Sequence, residues 1–289
     1  MEPFGWEAFA LKDQIESWCS QIPGLHKMAD GHWSVPSESS VSFPVNDQAE
    51  LALIEESSYW FKHRNEAISS IVKRFPPNGP IVDVGGGNGF VSKALMEGGF
   101  STVVVEPGPI AVSVCVERHV PVVHAAFQDL DISPESIHAI GLFDVLEHIE
   151  DEVGALRGMQ KALKSGGLLF LTVPAYQWLW SMDDADAGHF RRYALGSLRK
   201  KMEAAGFAVE YETYLFSPLV IPLFLLRTIP LWFGFRRKVD IERSKKEHSL
   251  PRGVVGCVLS RFLEQERQKV GSGYGVRFGT SCLMVARRQ

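Results

Sequence analysis

Cysteine is scarce in this chain. Cys19, Cys115, Cys257 and Cys282 are scattered over 289 residues with no Cys-x-x-Cys pair. That spacing argues against a zinc site and against a disulfide framework, and it fits a reducing cytosol. No His/Asp cluster of ligand spacing is visible, so no metal is expected. There is no internal repeat, which sets repeat architectures aside. The acidic N-terminus, Met-Glu-Pro-Phe-Gly, lacks a long apolar stretch; no signal peptide is expected, and the cytoplasm is the expected location. A net charge of −4 and the lack of an aromatic-basic stripe make nucleic acid an unexpected partner. One apolar run, Leu215–Phe235, approaches the ~20 residues of a membrane span. Pro218, Pro222, Pro230 and Arg227 interrupt it, and no second run would bring the chain back.

What is present suits one large α/β domain with embellishments. Residues 1–48 form an N-terminal extension in which Asp30-Gly31 suggests a hairpin turn and Ser37–Ser42 reads as loop. Residues 49–289 form the main domain. The charge is uneven, with 14 Lys/Arg against 5 Asp/Glu from Arg227 onward, so that part carries +9 and the rest −13. A basic segment beside an apolar run suits phosphate or an anionic membrane surface; it also suits an ordinary solvated face.

The chain is organised around Ile81-Val-Asp-Val-Gly-Gly-Gly-Asn-Gly89. Three β-branched residues around Asp83 read as a buried parallel strand, glycines follow at 85, 86, 87 and 89, and Phe90, Val91, Ala94 and Leu95 recur at helical spacing. A strand, glycine turn and helix let the backbone approach a cofactor and aim helix N–H groups at it. A dinucleotide fingerprint wants a third small residue where Phe90 stands, which disfavours a nicotinamide dehydrogenase. Glu106 ends the next strand, Thr102–Val105, and is placed to accept both ribose hydroxyls. Pro121–Ala126 reads as a third strand, an apolar fourth runs from Ala139 into Asp144-Val-Leu-Glu-His148, and Leu168–Pro174 is a fifth. Ala208–Tyr214 is a sixth strand and Gly279–Arg287 a seventh, with a helix over 195–205 before them. Ahead of the first strand, 48–75 turns helical and carries Tyr59-Trp-Phe-Lys-His-Arg-Asn65, which reads either as an amphipathic helix with core aromatics or as a cover over the cofactor site.

The Asp-x-Gly-x-Gly-x-Gly pattern resembles motif I of the class I S-adenosylmethionine methyltransferases. Asp144–His148 resembles motif IV of their type 11 and ubiquinone-biosynthesis branch. The string Gly188-His-Phe-Arg-Arg-Tyr193 resembles a signature lying over the open face of the sulfonium. The resemblance covers 55–289. It implies an α/β, Rossmann-like seven-stranded sheet with its last strand antiparallel, an N-terminal helical cover, and a helical insertion at about 215–275 between strands six and seven. The implied cofactor is S-adenosylmethionine, leaving as S-adenosylhomocysteine. It would be held by Asp83, Gly85, Gly86, Gly87, Asn88, Gly89 and Glu106, with Phe127 and Gln128 at the adenine, Phe143 and Asp144 at the sulfonium, and Arg64 and Asn65 near the carboxylate.

A neutral His189 could take a proton from an acceptor hydroxyl. His148, Tyr176, Arg191, Arg192 and Tyr193 are the expected substrate contacts; the arginines could hold a phosphate or carboxylate, or could pair with Asp183, Asp184 and Asp186 and order the loop. Glu147 suits the start of a helix as well as it suits catalysis. The expected activity is methyl transfer, to oxygen, on a quinone-like or lipid- or sugar-linked acceptor; the alternative is an inactive cofactor-binding scaffold with no open mouth. The apolar insertion, including a contact through 215–238, reads as a membrane-interface helix, a substrate lid or a homodimer interface.

Overall fold

The computed structural model describes residues 5–35, 52–234 and 248–289. After an N-terminal helix the first two strands are short, β1 (His26–Lys27) and β2 (Trp33–Ser34), paired as a hairpin about Asp30-Gly31. The parallel core follows as β3 (Ile81–Val84), β4 (Thr102–Glu106), β5 (Val122–His124), β6 (Ile137–Phe143) and β7 (Leu163–Pro174). The last two are β8 (Phe207–Leu215) and β9 (Ser281–Arg288). They make one mixed sheet in the order β1-β2-β5-β4-β3-β6-β7-β9-β8, with β9 antiparallel to both neighbours. The seven-strand expectation is therefore corrected to nine among the described residues. The hairpin pairs β2 parallel to β5, because the β5 edge offers backbone groups that Trp33 and Ser34 can satisfy. Ser37–Ser42 and Arg236-Arg237-Lys238 lie outside the described residues.

Strand β3 is buried on both faces, which is why it reads as an almost unbroken apolar run. On one face Val82, Val84, Val103 and Val105 join a core with Leu156, Met159 and Leu198; on the other, Ile81 and Ala139 pack with Ile68, Ile71 and Val72. The latter three come from α2 (Tyr59–Arg74), taking α1 as Gly5–Ser20. The helix expected to run from residue 48 breaks before Ser58, whose hydroxyl accepts the N–H groups of Trp60 and Phe61 and restarts it.

The crossing from β6 to β7 goes through Glu152–Ala162, and that from β7 to β8 through Leu195–Ala204. Between β8 and β9 the chain leaves the sheet for Ser217–Trp232, a run of short helical turns with a π-helical stretch at Phe224–Thr228, and for the helix Val254–Gly271. Buried Glu266 ties this excursion down. Its carboxylate accepts the Ser217 N–H at 2.9 Å and hydroxyl at 2.8 Å, the Phe216 N–H, and His63 Nε2 on α2 at 3.0 Å. Among the described residues, no helix is long and apolar enough to cross a membrane.

Candidate functional site

A cleft of about 2190 Å³ opens beyond the carboxyl ends of β3, β4 and β6, where an open parallel sheet binds ligands. At its floor, Asp83 is fully buried. Its Oδ2 accepts from Ser92 Oγ at 2.8 Å, while Oδ1 has no partner among the described residues. Burial pushes this carboxyl up to about 7, against the Ser92 hydrogen bond. A buried acceptor without a partner is costly unless something supplies a donor, which makes Asp83 a candidate ligand contact.

The glycine turn explains the approach. Gly87 has φ +53° and nothing within 4 Å of where a Cβ would stand, so the backbone lies bare on the cleft side. A Cβ on Gly86 would fall 2.8 Å from the Asp83 carboxyl carbon and 3.1 Å from Val104 Cγ1. Gly86→Ala is therefore expected to destabilise the fold by ~1–3 kcal/mol and to weaken cofactor binding. Thermal unfolding checks the first effect and titration the second; an unchanged melting temperature would mean that the turn has room to give.

Glu106 ends β4 with one oxygen on Gly87 N–H at 3.0 Å and the other on Gly108 N–H at 2.8 Å. Glu106 also lines the cleft, so its carboxylate stands at the end of β4 where hydroxyl donors of a ligand would meet it. Ala126, Phe127 and Gln128 line the same wall at the exit of β5, and Asp131, not anticipated from sequence, joins them. Asn88 lines the cleft from a loop held underneath by Arg118, which donates to the Asn88 carbonyl and to Glu55 at 2.7 Å each. These groups fit an adenosyl cofactor: a bare glycine turn, a buried acceptor awaiting a donor, and a carboxylate at a strand end.

The cover helix contributes Tyr59, Trp60, Phe61 and Arg64 to the cleft. The Arg64 guanidinium lies 5.1 Å from both the Trp60 and Phe61 rings and bonds to Asp144. Asp144, at φ +56°, also accepts from Thr172 Oγ1 at 3.1 Å and lines the cleft with Phe143. Asn65 corrects an expectation. Its amide donates to the Phe90 carbonyl at 3.1 Å and the residue is not part of the cleft wall, so it fixes α2 against the helix after the glycine turn.

At the mouth, groups from two separate stretches meet, Glu147 and His148 from one and Asp184 and His189 from the other. His189 Nδ1 sits 2.9 Å from Asp184 Oδ1. Asp184 is buried and also accepts from Ser181 N–H at 2.8 Å and from Arg192 Nε at 2.7 Å and Nη2 at 2.9 Å. Burial opposes its charge, but the His189 and Arg192 contacts and the Ser181 amide outweigh it and hold the carboxyl down to about 2. The His148 and His189 rings stand edge to face with centroids 4.7 Å apart. Burial, then the His189 neighbour, lowers His148 to about 4, so it is neutral. Burial and then Asp144 raise buried Glu147 well above the usual carboxylate range. Ligand atoms of Glu147, His148 and His189 lie within 4.8 Å of one another, a cluster that spacing along the chain could not reveal.

Three expected substrate contacts are corrected. Tyr193 is 2% exposed, its hydroxyl spent on Glu152 Oε2 at 2.7 Å and the Leu146 carbonyl at 3.3 Å. Arg191 bonds the carbonyls of Ile149 at 3.0 Å and Glu150 at 3.1 Å, outside the cleft wall. Tyr176 is stacked between Tyr214 at 5.0 Å and Trp178 at 5.4 Å, also off the cleft wall. Arg192 does reach the cleft, with its guanidinium engaged by Asp184. Asp184 is a candidate site residue that the sequence shows only as one member of an acidic cluster. Its signal was Ser181-x-x-Asp184, a capping box that turns the carboxylate inward. An inactive scaffold is expected to lack an open mouth; among the described residues this cleft is open.

A family model described as "Methyltransferase domain" matches residues 60–212. A ubiquinone biosynthesis O-methyltransferase of Xanthomonas campestris pv. campestris is 30% identical over 103 residues, 33% of this chain and 43% of that protein. The chain thus spans less than half the length of this curated relative. A Mycobacterium tuberculosis protein named "Probable S-adenosylmethionine-dependent methyltransferase" is 21% identical over 54% of this chain and 58% of its own. The crystal structure of a SAM-dependent methyltransferase from Thermotoga maritima superposes with a TM-score of 0.54 at 17% identity, covering 85% of this chain and 96% of that one, which supports the fold.

Proposed function

The chain belongs to the methyltransferase domain family, and from that membership we propose that it methylates a hydroxyl oxygen of an amphiphilic acceptor, using S-adenosylmethionine. Asp83, Glu106 and the turn at Gly85–Gly87 would hold the cofactor, which supplies when bound a methyl group on a cationic sulfonium. Transfer from such a centre asks the protein mainly for alignment and exclusion of water. An oxygen acceptor adds one demand, removal of the hydroxyl proton.

The observation that carries the oxygen reading is the His189–Asp184 pair. Asp184 holds Nδ1 and so fixes the tautomer in which Nε2 is the acceptor. Arg192 and Ser181 hold Asp184 in turn, the base-and-orienter arrangement of acid–base sites. The amphiphilic reading rests on the mixed lining of the cleft, to which Leu219, Leu223 and Leu226 contribute alongside polar His148, Asp183 and Arg227. The oxygen chemistry in the name of the Xanthomonas relative points the same way.

The test is incubation with methyl-labelled cofactor and a panel of fractionated extracts, followed by solvent partition and identification of the labelled bond. Label in the organic phase as a methyl ether or ester is the expected outcome. Label on nitrogen, or only on water-soluble products, would overturn the reading.

A further inference from the structure

The insertion presents two faces of different use. Leu219, Leu223 and Leu226 line the cleft, whereas Ile221, Leu225, Trp232 and Phe233 stand between 52% and 76% exposed. The returning segment repeats this: Leu250 and Arg252 line the same mouth, and Val254, Val255, Val258 and Phe262 are 49–79% exposed. Large apolar side chains gathered around one opening mark a contact surface rather than ordinary scatter. The exposed aromatics are also connected to the core. Trp232 meets Phe224 edge to face at 5.5 Å, and Phe224 meets Trp178 at 5.4 Å. Trp178, itself 46% exposed, continues the row to Tyr176 and Tyr214.

Three observations select the occupant. Tryptophan favours the boundary between water and hydrocarbon, where its apolar ring and N–H are both satisfied. Exposed Arg252 and Arg261 flank the apolar face of the helix Val254–Gly271, and the sequence from Arg227 onward carries 14 Lys/Arg against 5 Asp/Glu. Such a field attracts anionic headgroups. A second copy is disfavoured, because a two-fold interface would set exposed Arg252 and Arg261 against their own counterparts. No described helix is long and apolar enough to cross a bilayer, and the docking considered is at the membrane surface.

We propose that this face docks on an anionic bilayer and that the acceptor enters the cleft from the lipid, between the two segments. The entry route rests on the amphiphilic acceptor proposed above; the docking does not. The experiment is flotation of the full chain with phosphatidylcholine vesicles, with and without phosphatidylglycerol. Co-flotation with the anionic vesicles, weakened by salt, is expected. The double variant Phe233→Ser, Val255→Ser should float about tenfold less, with calorimetric affinity for S-adenosylmethionine unchanged. Both side chains are largely exposed, so folding is not at stake. Failure to float, or equal flotation of the variant, overturns the docking; so does sedimentation showing a lipid-free dimer that the same variant breaks. Docking with transfer only to water-soluble acceptors leaves the surface standing and overturns the entry route.

Discussion

Asp83→Asn is expected to abolish cofactor binding, weakening it at least ~100-fold, while making the ligand-free protein more stable at pH 8. The carboxyl is fully buried, has Ser92 on one oxygen and, among the described residues, nothing on the other. In the folded chain it titrates at about 7, raised chiefly by burial from an ordinary value of 3.8. The sign follows from proton counting. Between pH 4 and 7 the folded chain binds more protons at this site than the unfolded chain, so stability falls as pH rises through that window. Above it the ionised group costs on the order of 2–4 kcal/mol, a cost the asparagine variant does not carry. The wild type should therefore lose more of its melting temperature than the variant between pH 5 and pH 8. Added S-adenosylmethionine should raise the wild-type melting temperature and leave the variant where it was. A variant that binds the cofactor normally would remove the buried carboxylate from the account.

His189→Ala is expected to lower turnover by ~10²–10⁴-fold with cofactor affinity nearly intact. The imidazole lines the same cleft as Asp83 and Glu106, but its ring is oriented by Asp184 rather than by the glycine turn. Asp184→Asn should also impair turnover, but it removes the charge that Arg192 and the Ser181 N–H are arranged around, so part of its effect will be loss of loop order. His189→Ala is the cleaner probe. Measuring initial rates beside calorimetric affinity separates the two roles, and a normal rate would retire His189 as the base.

Local patterns carried the fold a long way. The run Ile81–Val84, the glycines after it and the acid ending β4 stand within 26 residues and owe their arrangement to backbone geometry, so sequence could show them. The hairpin about Asp30-Gly31 was legible for the same reason. Its pairing to β5 was not, because two-residue strands have no periodicity to read. The mouth was legible only in pieces. His189 and Asp184 are five residues apart, yet which of the neighbouring acids faces the imidazole depends on the Ser181 cap, and Glu147 reaches His189 only through packing. A polar string beside a site says nothing about which way each side chain turns, which is why the expected contacts of Tyr193 and Arg191 were not separable from their neighbours in sequence. The structure turns both toward the β6–β7 crossing, onto Glu152.

The measurement that bears most directly on the central claim is calorimetric titration of the purified chain with S-adenosylmethionine, S-adenosylhomocysteine and NAD. The bare turn at Gly87, the waiting acceptor on Asp83 and the carboxylate of Glu106 call for binding of both adenosyl ligands, and Phe90, where a dinucleotide fingerprint wants a small residue, disfavours NAD. Tight binding of the first two and none of NAD is the result this account predicts. Binding of NAD, or of neither adenosyl ligand, would contradict it.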